Sequence, residues 1–217
     1  MTAADDRQKE FERRLSSGDA EALGELFALY RARLWRTVSF RLGGRLAGRV
    51  DPDDVLQESF LVAAQRINHY RQDWSASAFL WLRTIVLQVL VDVHRRHMGT
   101  QKRDADKEMP IFGHYPQATS ASMAIHLVGD ITSPSQAAIR AESLDLVERA
   151  IAGMDPIDQE ILALRHFEEL SNSEVAEVLD IQPKAASIRY IRALERLKEI
   201  LLAVPGLMDG QDGQQHG

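Results

Sequence analysis

The stretch from Ser77 to Asp104, SAFLWLRTIVLQVLVDVHRRHMGTQKRD, constrains the fold of this chain more than any other. About four turns of it are apolar on nearly every side of a helix before it runs abruptly into Arg95, Arg96, Lys102 and Arg103. A helix apolar all round must lie in the middle of a bundle. Its end then carries a cationic cluster out of the core at a fixed position, where positive charge also suits the negative end of the helix dipole. Two readings fit this segment equally. One is a site for a polyanion; the other is an arginine cap followed by a solvated basic loop.

The 217 residues suffice for one large domain or two small ones. No cysteine occurs, which excludes a disulfide scaffold and thiolate metal sites and fits a reducing compartment. Met1 to Glu10 is polar and acidic, and the longest apolar run, Ile85 to Val91, is far too short to span a bilayer. The expectation is a soluble, cytoplasmic protein without membrane insertion. Its net charge of −6 conceals a segregation of sign. Acidic residues dominate from Arg140 to Asp180, after which Lys184, Arg189, Arg192, Arg196 and Lys198 follow with only Glu195 between them. A second basic stretch, Arg31, Arg33, Arg36, Arg41, Arg45 and Arg49, precedes acidic Asp51, Asp53 and Asp54. Localised basic faces within an acidic total point to nucleic-acid docking at defined places, with other faces left for protein partners.

Apolar residues recur at helical spacing and strict alternation never lasts, so the fold class is all-α. Leu23, Leu26, Phe27, Tyr30, Leu34 and Val38 form one stripe, on a helix that Asp19 caps and that ends near Gly43 and Gly44. Asp51 and Pro52 open the next, with Val55, Leu56, Phe60, Ala63 and Ile67 on its apolar face. Ser77 opens the buried helix, and an amphipathic segment near Phe11 and Leu15 completes a first helical domain over residues 1–98. From Gly99 to Thr132 the pattern fails among polar residues, Pro110, Gly113 and Pro116, which predicts a flexible linker over 99–132. Order resumes at Ser133 in a second small domain, 133–204, and the tail 205–217 is expected to be disordered.

Leu170 to Leu197 carries a helix-turn-helix pattern. Ser171 and Glu174 make a capping box, Asp180 stands where the turn needs a left-handed residue, and Pro183 starts the second helix. Ala176, Ala185 and Ala186 permit a close crossing, with Ala186, Tyr190, Ala193, Leu194 and Leu197 facing inward. The opposite face presents Lys184, Ser187, Ile188, Ile191 and Arg192. In a DNA major groove its N-terminal residues would meet base edges and its arginines phosphates or guanine. Outside DNA it would be a helical hairpin with a charged surface.

Taken together, the two halves resemble a bacterial extracytoplasmic-function (ECF) sigma factor of the sigma-70 family. In the first domain Asp53 to Phe60, DDVLQESF, is similar to the family pattern D-x-V-Q-E-x-F. Trp81, Leu82, Ile85, Gln88, Asp92, Arg95 and Arg96 are similar to W-L-x-x-I-x-x-N-x-x-x-D-x-x-R-R. In the second, Leu170, Ser171, Glu174, Val175, Ala176, Leu179, Asp180 and Ile181 match the block ahead of the family's recognition helix. The resemblance implies that Asp53, Asp54, Gln57, Glu58 and Leu61 bind core RNA polymerase. It implies contacts with the −10 promoter element from Tyr70, Arg71 and Trp74, in a loop over His69 to Ala76, and from Gln88, Arg95, Arg96, Lys102 and Arg103. Tyr70, Arg71 and Trp74 would stack on or clamp a flipped base, with Phe79 and Trp81 bracing the loop from within. The −35 element would be read by Lys184, Ser187, Ile188, Arg189 and Arg192.

Partners implied are core RNA polymerase, promoter DNA and an anti-sigma factor or other regulator. No catalysis, cofactor or metal is implied. Gln88 replaces the family's usual Asn, Asp180 its usual turn Gly, and Ser187 and Ile188 stand where basic and Ser residues are common, so the promoter sequence is not legible. Two other functions are weighed against this one. A free-standing helix-turn-helix regulator leaves the Trp81 to Arg96 block unexplained, and a metal enzyme built on Asp92, His94 and His97 lacks further ligands to complete a site.

Overall fold

The computed structural model describes residues 10, 11, 13–15, 17, 19–46, 48–73, 77–97, 116–131 and 137–204, with the side chains of 20, 44, 45, 68–73, 116–119, 130, 131 and 137–140 outside the description. Apart from an isolated bridge at Val50, no strand occurs among the described residues. They divide into two compact units, Met1–Leu42 with Leu46–Gly113 and Gly43–Arg45 with His114–Gly217.

The first unit is built on three long helices, each started by the residue its sequence offers. Helix α1 spans Ala20–Leu46, and the Asp19 carboxylate accepts from the Glu21 and Ala22 amides at 2.9 and 3.2 Å. The chain leaves helical geometry at Gly43, where φ is 62° and ψ 174°, a conformation that glycine tolerates because it has no Cβ. Helix α2, Pro52–Asp73, starts with proline in its first turn, and the Asp51 carboxylate accepts from the Asp53 amide at 2.9 Å. Helix α3, Ala78–His97, opens with the Ser77 hydroxyl accepting from the Leu80 amide at 3.3 Å.

As the apolar run predicts, α3 is the centre of its unit: every residue from Ala78 to Val86 is buried, as are Val89, Leu90 and Val93. Leu23, Leu26, Leu34 and Val38 of α1 and Val55, Leu56 and Ala63 of α2 complete the core. Phe79 packs against Tyr30 with ring centroids 5.2 Å apart, and the Arg33 guanidinium lies 3.6 Å over its ring. Helix α2 runs through Asp73, so the loop expected from His69 is helical for five residues more. Nothing from Arg66 to Asp73 is a glycine or proline that would stop it earlier.

The second unit contains a helix where the sequence predicts linker. Helix α4, Pro116–Ile131, packs on α5, Ala137–Ala152, and on α6, Pro156–Leu162. Its buried face is Ser120, Ser122, Met123, Ala124 and Val128. Serines and alanine make a close-packing but weakly hydrophobic stripe, and prolines and glycines on either side obscure it. Residues 116–131 of the linker expected over 99–132 are thus helical, and 99–115 and 132 lie outside the described residues.

Helix α6 begins with Asp155 accepting from the Ile157 amide and passes at Ala163–Phe167 into a π turn, in which the Glu168 amide bonds the Ala163 carbonyl at 2.9 Å. Helices α7, Asn172–Val178, and α8, Pro183–Ala203, then form the helix-turn-helix. Asp180 has φ of 51°, so the turn is left-handed at the expected residue. A left-handed conformation costs an ordinary side chain roughly 1–2 kcal/mol and a β-branched one most. Asp180→Gly is therefore expected to be neutral or stabilising in urea unfolding, and Asp180→Val destabilising by about 1–2 kcal/mol. Equal losses in both variants would mean that the Asp180 side chain matters and its backbone does not.

Candidate functional site

A concavity of the first unit lies between α1 and α2. It has a volume of about 440 Å³ and is lined by Phe27 and Arg31 from α1 and by Asp53, Leu56, Gln57, Phe60 and Leu61 from α2. Its floor is aromatic, Phe27 meeting Phe60 edge-on at 5.3 Å, and its end is closed by Arg31 donating to Asp53 at 2.7 Å. Leu61 stands 62% exposed at the margin, a large apolar side chain held in water. Asp54 and Gln57 are exposed beside it. An apolar trough with carboxylate and amide acceptors on one wall suits a protein helix that brings apolar and basic side chains.

Three of the five residues expected to face a protein partner, Asp53, Gln57 and Leu61, line this trough directly. Glu58 turns the other way, accepting from Arg96 of α3 at 2.7 Å. The opposite wall adds Phe27, which the sequence places in the core stripe of α1, and Arg31, which it places in a basic stretch. Its signal was present in the i, i+4 spacing of an aromatic and an arginine, but Phe27 also fits the core stripe of α1.

The expected −10 group is only partly within view. Trp74, Lys102 and Arg103 lie outside the described residues, as do the side chains of Tyr70 and Arg71. Gln88 is half-buried and accepts from Arg66, while Arg95 is exposed and 3.8 Å from Asp92. Arg95 and Arg96 thus sit together at the C-terminal end of the buried helix. Three residues of the basic stretch make contacts within the unit. Arg41 is buried, Arg33 covers Phe79, and Arg31 is paired with Asp53.

His97 lies 3.0 Å from the Val93 carbonyl through Nδ1. Burial pushes the His94 pKa below its ordinary value, opposed by a hydrogen bond with the Arg41 backbone, and nearby His97 lowers it further. Among the described residues no group of three His, Cys, Asp or Glu is placed to hold a metal ion.

In the second unit the helix-turn-helix is fixed at three points. Ser171 and Glu174 form both halves of the capping box, at 3.2 and 2.7 Å. The Asn172 amide donates to the Pro183 carbonyl at 2.8 Å, tying the start of α7 to the start of α8. Arg165, from the π turn, donates to the Leu170 carbonyl at 2.7 Å and places its guanidinium 5.2 Å from the Tyr190 ring centroid. Ala186, Ala193 and Leu197 are buried.

Outward, α8 presents Lys184, Ser187, Ile188, Ile191 and Arg192, all exposed, with Ile191 at 57%. Lys184 and Arg192 have no ion-pair partner among the described residues. Arg189, also expected in this set, is half-buried and donates to Asp158 of α6 at 3.3 Å, on the flank of the helix. The separation follows from helical spacing, since Arg189 lies three residues from inward Ala186.

The ECF sigma factor family model matches residues 12–199. The chain is 23% identical over 190 residues to the ECF RNA polymerase sigma factor SigW of Bacillus subtilis (strain 168), covering 87% of this chain and 94% of that one. It is 27% identical over 187 residues to SigD of Mycobacterium tuberculosis (strain ATCC 25618 / H37Rv), covering 86% and 80%. Among solved structures, CnrH in complex with the cytosolic domain of CnrY aligns with a TM-score of 0.50 at 21% identity, covering 90% of this chain and 97% of that one. That likeness supports the all-helical fold. Matched over both of its units, the chain belongs to the ECF sigma factor family and acts as an RNA polymerase sigma factor in transcription initiation.

Proposed function

We propose that the chain is a dissociable initiation subunit whose first unit docks on core RNA polymerase and opens the −10 element, while its second reads the −35 element. The observation that carries this reading is the outward face of α8. Lys184 and Arg192 have no ion-pair partner among the described residues and flank exposed Ser187, Ile188 and Ile191 on a helix braced at its N-terminal end by Asn172. Two cations free to meet phosphate or guanine, with a hydroxyl and two apolar side chains between them, suit a major groove. Arg189, drawn to Asp158, is assigned to anchoring α8.

The trough between α1 and α2 is assigned to core polymerase, with Asp54, Gln57 and Leu61 making first contact and Asp53 held in place by Arg31. Arg95 and Arg96 would hold backbone phosphate near the melted strand, with Lys102 and Arg103 beyond them, and Tyr70, Arg71, Trp74 and Gln88 would handle the unstacked bases. The domain limits follow as residues 1–98 for polymerase and −10 work and 133–204 for −35 work, with α4 packed as an addition to the latter. The protein is cytoplasmic and performs no covalent chemistry in this reading. An anti-sigma factor or a comparable regulator is the expected further partner, by analogy with CnrH, whose solved complex holds the cytosolic domain of CnrY.

Arg192→Glu is expected to weaken binding to double-stranded promoter by about tenfold or more, in line with roughly 1–3 kcal/mol for a specific contact, with polymerase affinity unchanged. Unaltered DNA binding would remove Arg192 from the recognition face. Leu61→Asp, at a position already exposed, is expected to lower affinity for core polymerase at least ~10-fold in fluorescence anisotropy while leaving the melting temperature in place. Trp74→Ala is expected to reduce permanganate-detected promoter opening more than closed-complex formation. Equal loss of both would make Trp74 a folding residue.

A further inference from the structure

Helices α2 and α3 are joined along one side by two arginine contacts that run in opposite directions. At one, Arg96 of α3 donates to Glu58 of α2 at 2.7 Å; at the other, Arg66 of α2 donates through Nη1 to Oε1 of Gln88 on α3. The two pairs lie eight residues apart on each helix, about 12 Å along it, as antiparallel neighbours require. The first is an ordinary ion pair. The second commits a full cation to a neutral amide: among the described residues Arg66 has no carboxylate partner, although Asp92 stands one turn beyond Gln88 on α3.

The consequence lies in the carboxamide. A guanidinium has donors only, so the atom it meets must be the carbonyl oxygen, and the Gln88 NH2 is left for another partner. That NH2 has none among the described residues. Gln88 is half-buried and Arg66 exposed, which puts the amide at the margin of the bundle. An unheld glutamine suits adenine, giving its oxygen to the N6 donor and its NH2 to N7. Here the oxygen is occupied, and a second donor approaching it would also meet the positive charge of Arg66. What remains is a patch of donors alone, the Gln88 NH2 and the other guanidinium N–H groups. Guanine presents two adjacent acceptors, O6 and N7, and an unpaired cytosine presents N3 and O2, whereas adenine and thymine alternate acceptors with donors.

We propose that Arg66 is a positioning residue for base readout: by holding Oε1 it makes Gln88 a donor-only reader, which selects cytosine or guanine and rejects adenine and thymine in the melted −10 strand. The inference rests on the assignment of Gln88 to that strand and adds the class of base it takes. Fixing the amide before DNA arrives also lowers the ordering cost of the contact.

The test uses holoenzyme assembled from core polymerase and the full-length chain to select from a short, fully randomised single-stranded DNA pool, with base frequencies read by sequencing. Gln88→Ala identifies the position that Gln88 reads, as the one whose preference flattens. There the unaltered protein is expected to recover cytosine or guanine, cytosine meaning the N3 and O2 edge and guanine the O6 and N7 edge. Arg66→Gln supplies an acceptor for the Gln88 NH2 and lets the amide turn over, so the preference at that position is expected to shift toward adenine by ~10-fold with the others unchanged. Arg66→Lys still donates to Oε1 and is expected to keep the original preference. Because Arg66 is exposed, both variants are expected to keep the melting temperature. Adenine or thymine selected by the unaltered protein at that position would overturn the inference. So would a preference untouched by Arg66→Gln, or a uniform weakening across the pool that makes Arg66 a phosphate contact, and either result leaves the −10 assignment standing. If Gln88→Ala flattens no position, the assignment of Gln88 itself falls, and the inference with it.

Discussion

Burial of α3 is the constraint on which the first unit depends. With every residue from Ala78 to Val86 buried, the helix needs neighbours on all sides, and α1 and α2 must commit their apolar faces to it. Fully burying a Leu, Ile, Val or Phe side chain contributes roughly 1.5–3 kcal/mol, so this packing outweighs any surface pairing in the unit. The trough is a consequence. Once Leu26 and Leu34 of α1 and Val55 and Ala63 of α2 point at α3, Phe27 and Phe60 are left on the shoulder between the two helices, half-covered and in contact with each other. Leu61, one residue further round α2, has no place in the core and stands in solvent.

The same burial explains where the charges go. An arginine at a bundle interface can cover an aromatic ring with its planar guanidinium while keeping its donors near polar partners. Arg33 over Phe79 is such a case, and Arg31 closes the trough through Asp53. Arg31, Arg33 and Arg41, part of a run that looks like a nucleic-acid face in the sequence, thus have contacts within the unit. In α8 the opposite holds. Its inward positions are Ala186, Ala193 and Leu197, which need no cationic partner, so Lys184 and Arg192 remain outside and available. Sign and density of charge were similar in the two segments. The difference lies in what the adjacent helices offer.

Local punctuation was legible because its physics is local. Asp19, Asp51, Ser77, Asp155 and Ser171 act on amides within three residues, and Gly43 and Asp180 answer to their own backbone angles. Features that depend on a distant neighbour were not. Helix α4 is stabilised by small residues fitting against α5 and α6, and Ser120 and Ser122 on its buried face read as loop in isolation. The π turn at Ala163–Phe167 leaves no periodicity by which to find it, yet it aims Arg165 at Tyr190. The trough was half-legible: its α2 wall sits in one contiguous motif, whereas Phe27 and Arg31 come from a helix whose pattern had already been explained by the core. Likewise Arg189 was separable from Lys184 and Arg192 only by the position of Asp158 on another helix.

The pair formed by Glu58 and Arg96 links the two faces of the first unit, since the family resemblance gives the first residue to polymerase and the second to DNA. Their side chains are 42% and 56% exposed, and exposed ion pairs are worth at most about 1 kcal/mol. A contact that weak cannot hold either residue away from a polyanion or from a docking helix that desolvates it. Its effect is on geometry. It orders two long side chains that would otherwise lose more rotamer freedom on binding, while Arg96 also donates through Nε to the Asp92 carbonyl at 3.4 Å. In the proposed complex, exchange of one exposed partner for a phosphate or a partner's charge would cost little, so the pair would set no large barrier to contact at the end of the buried helix.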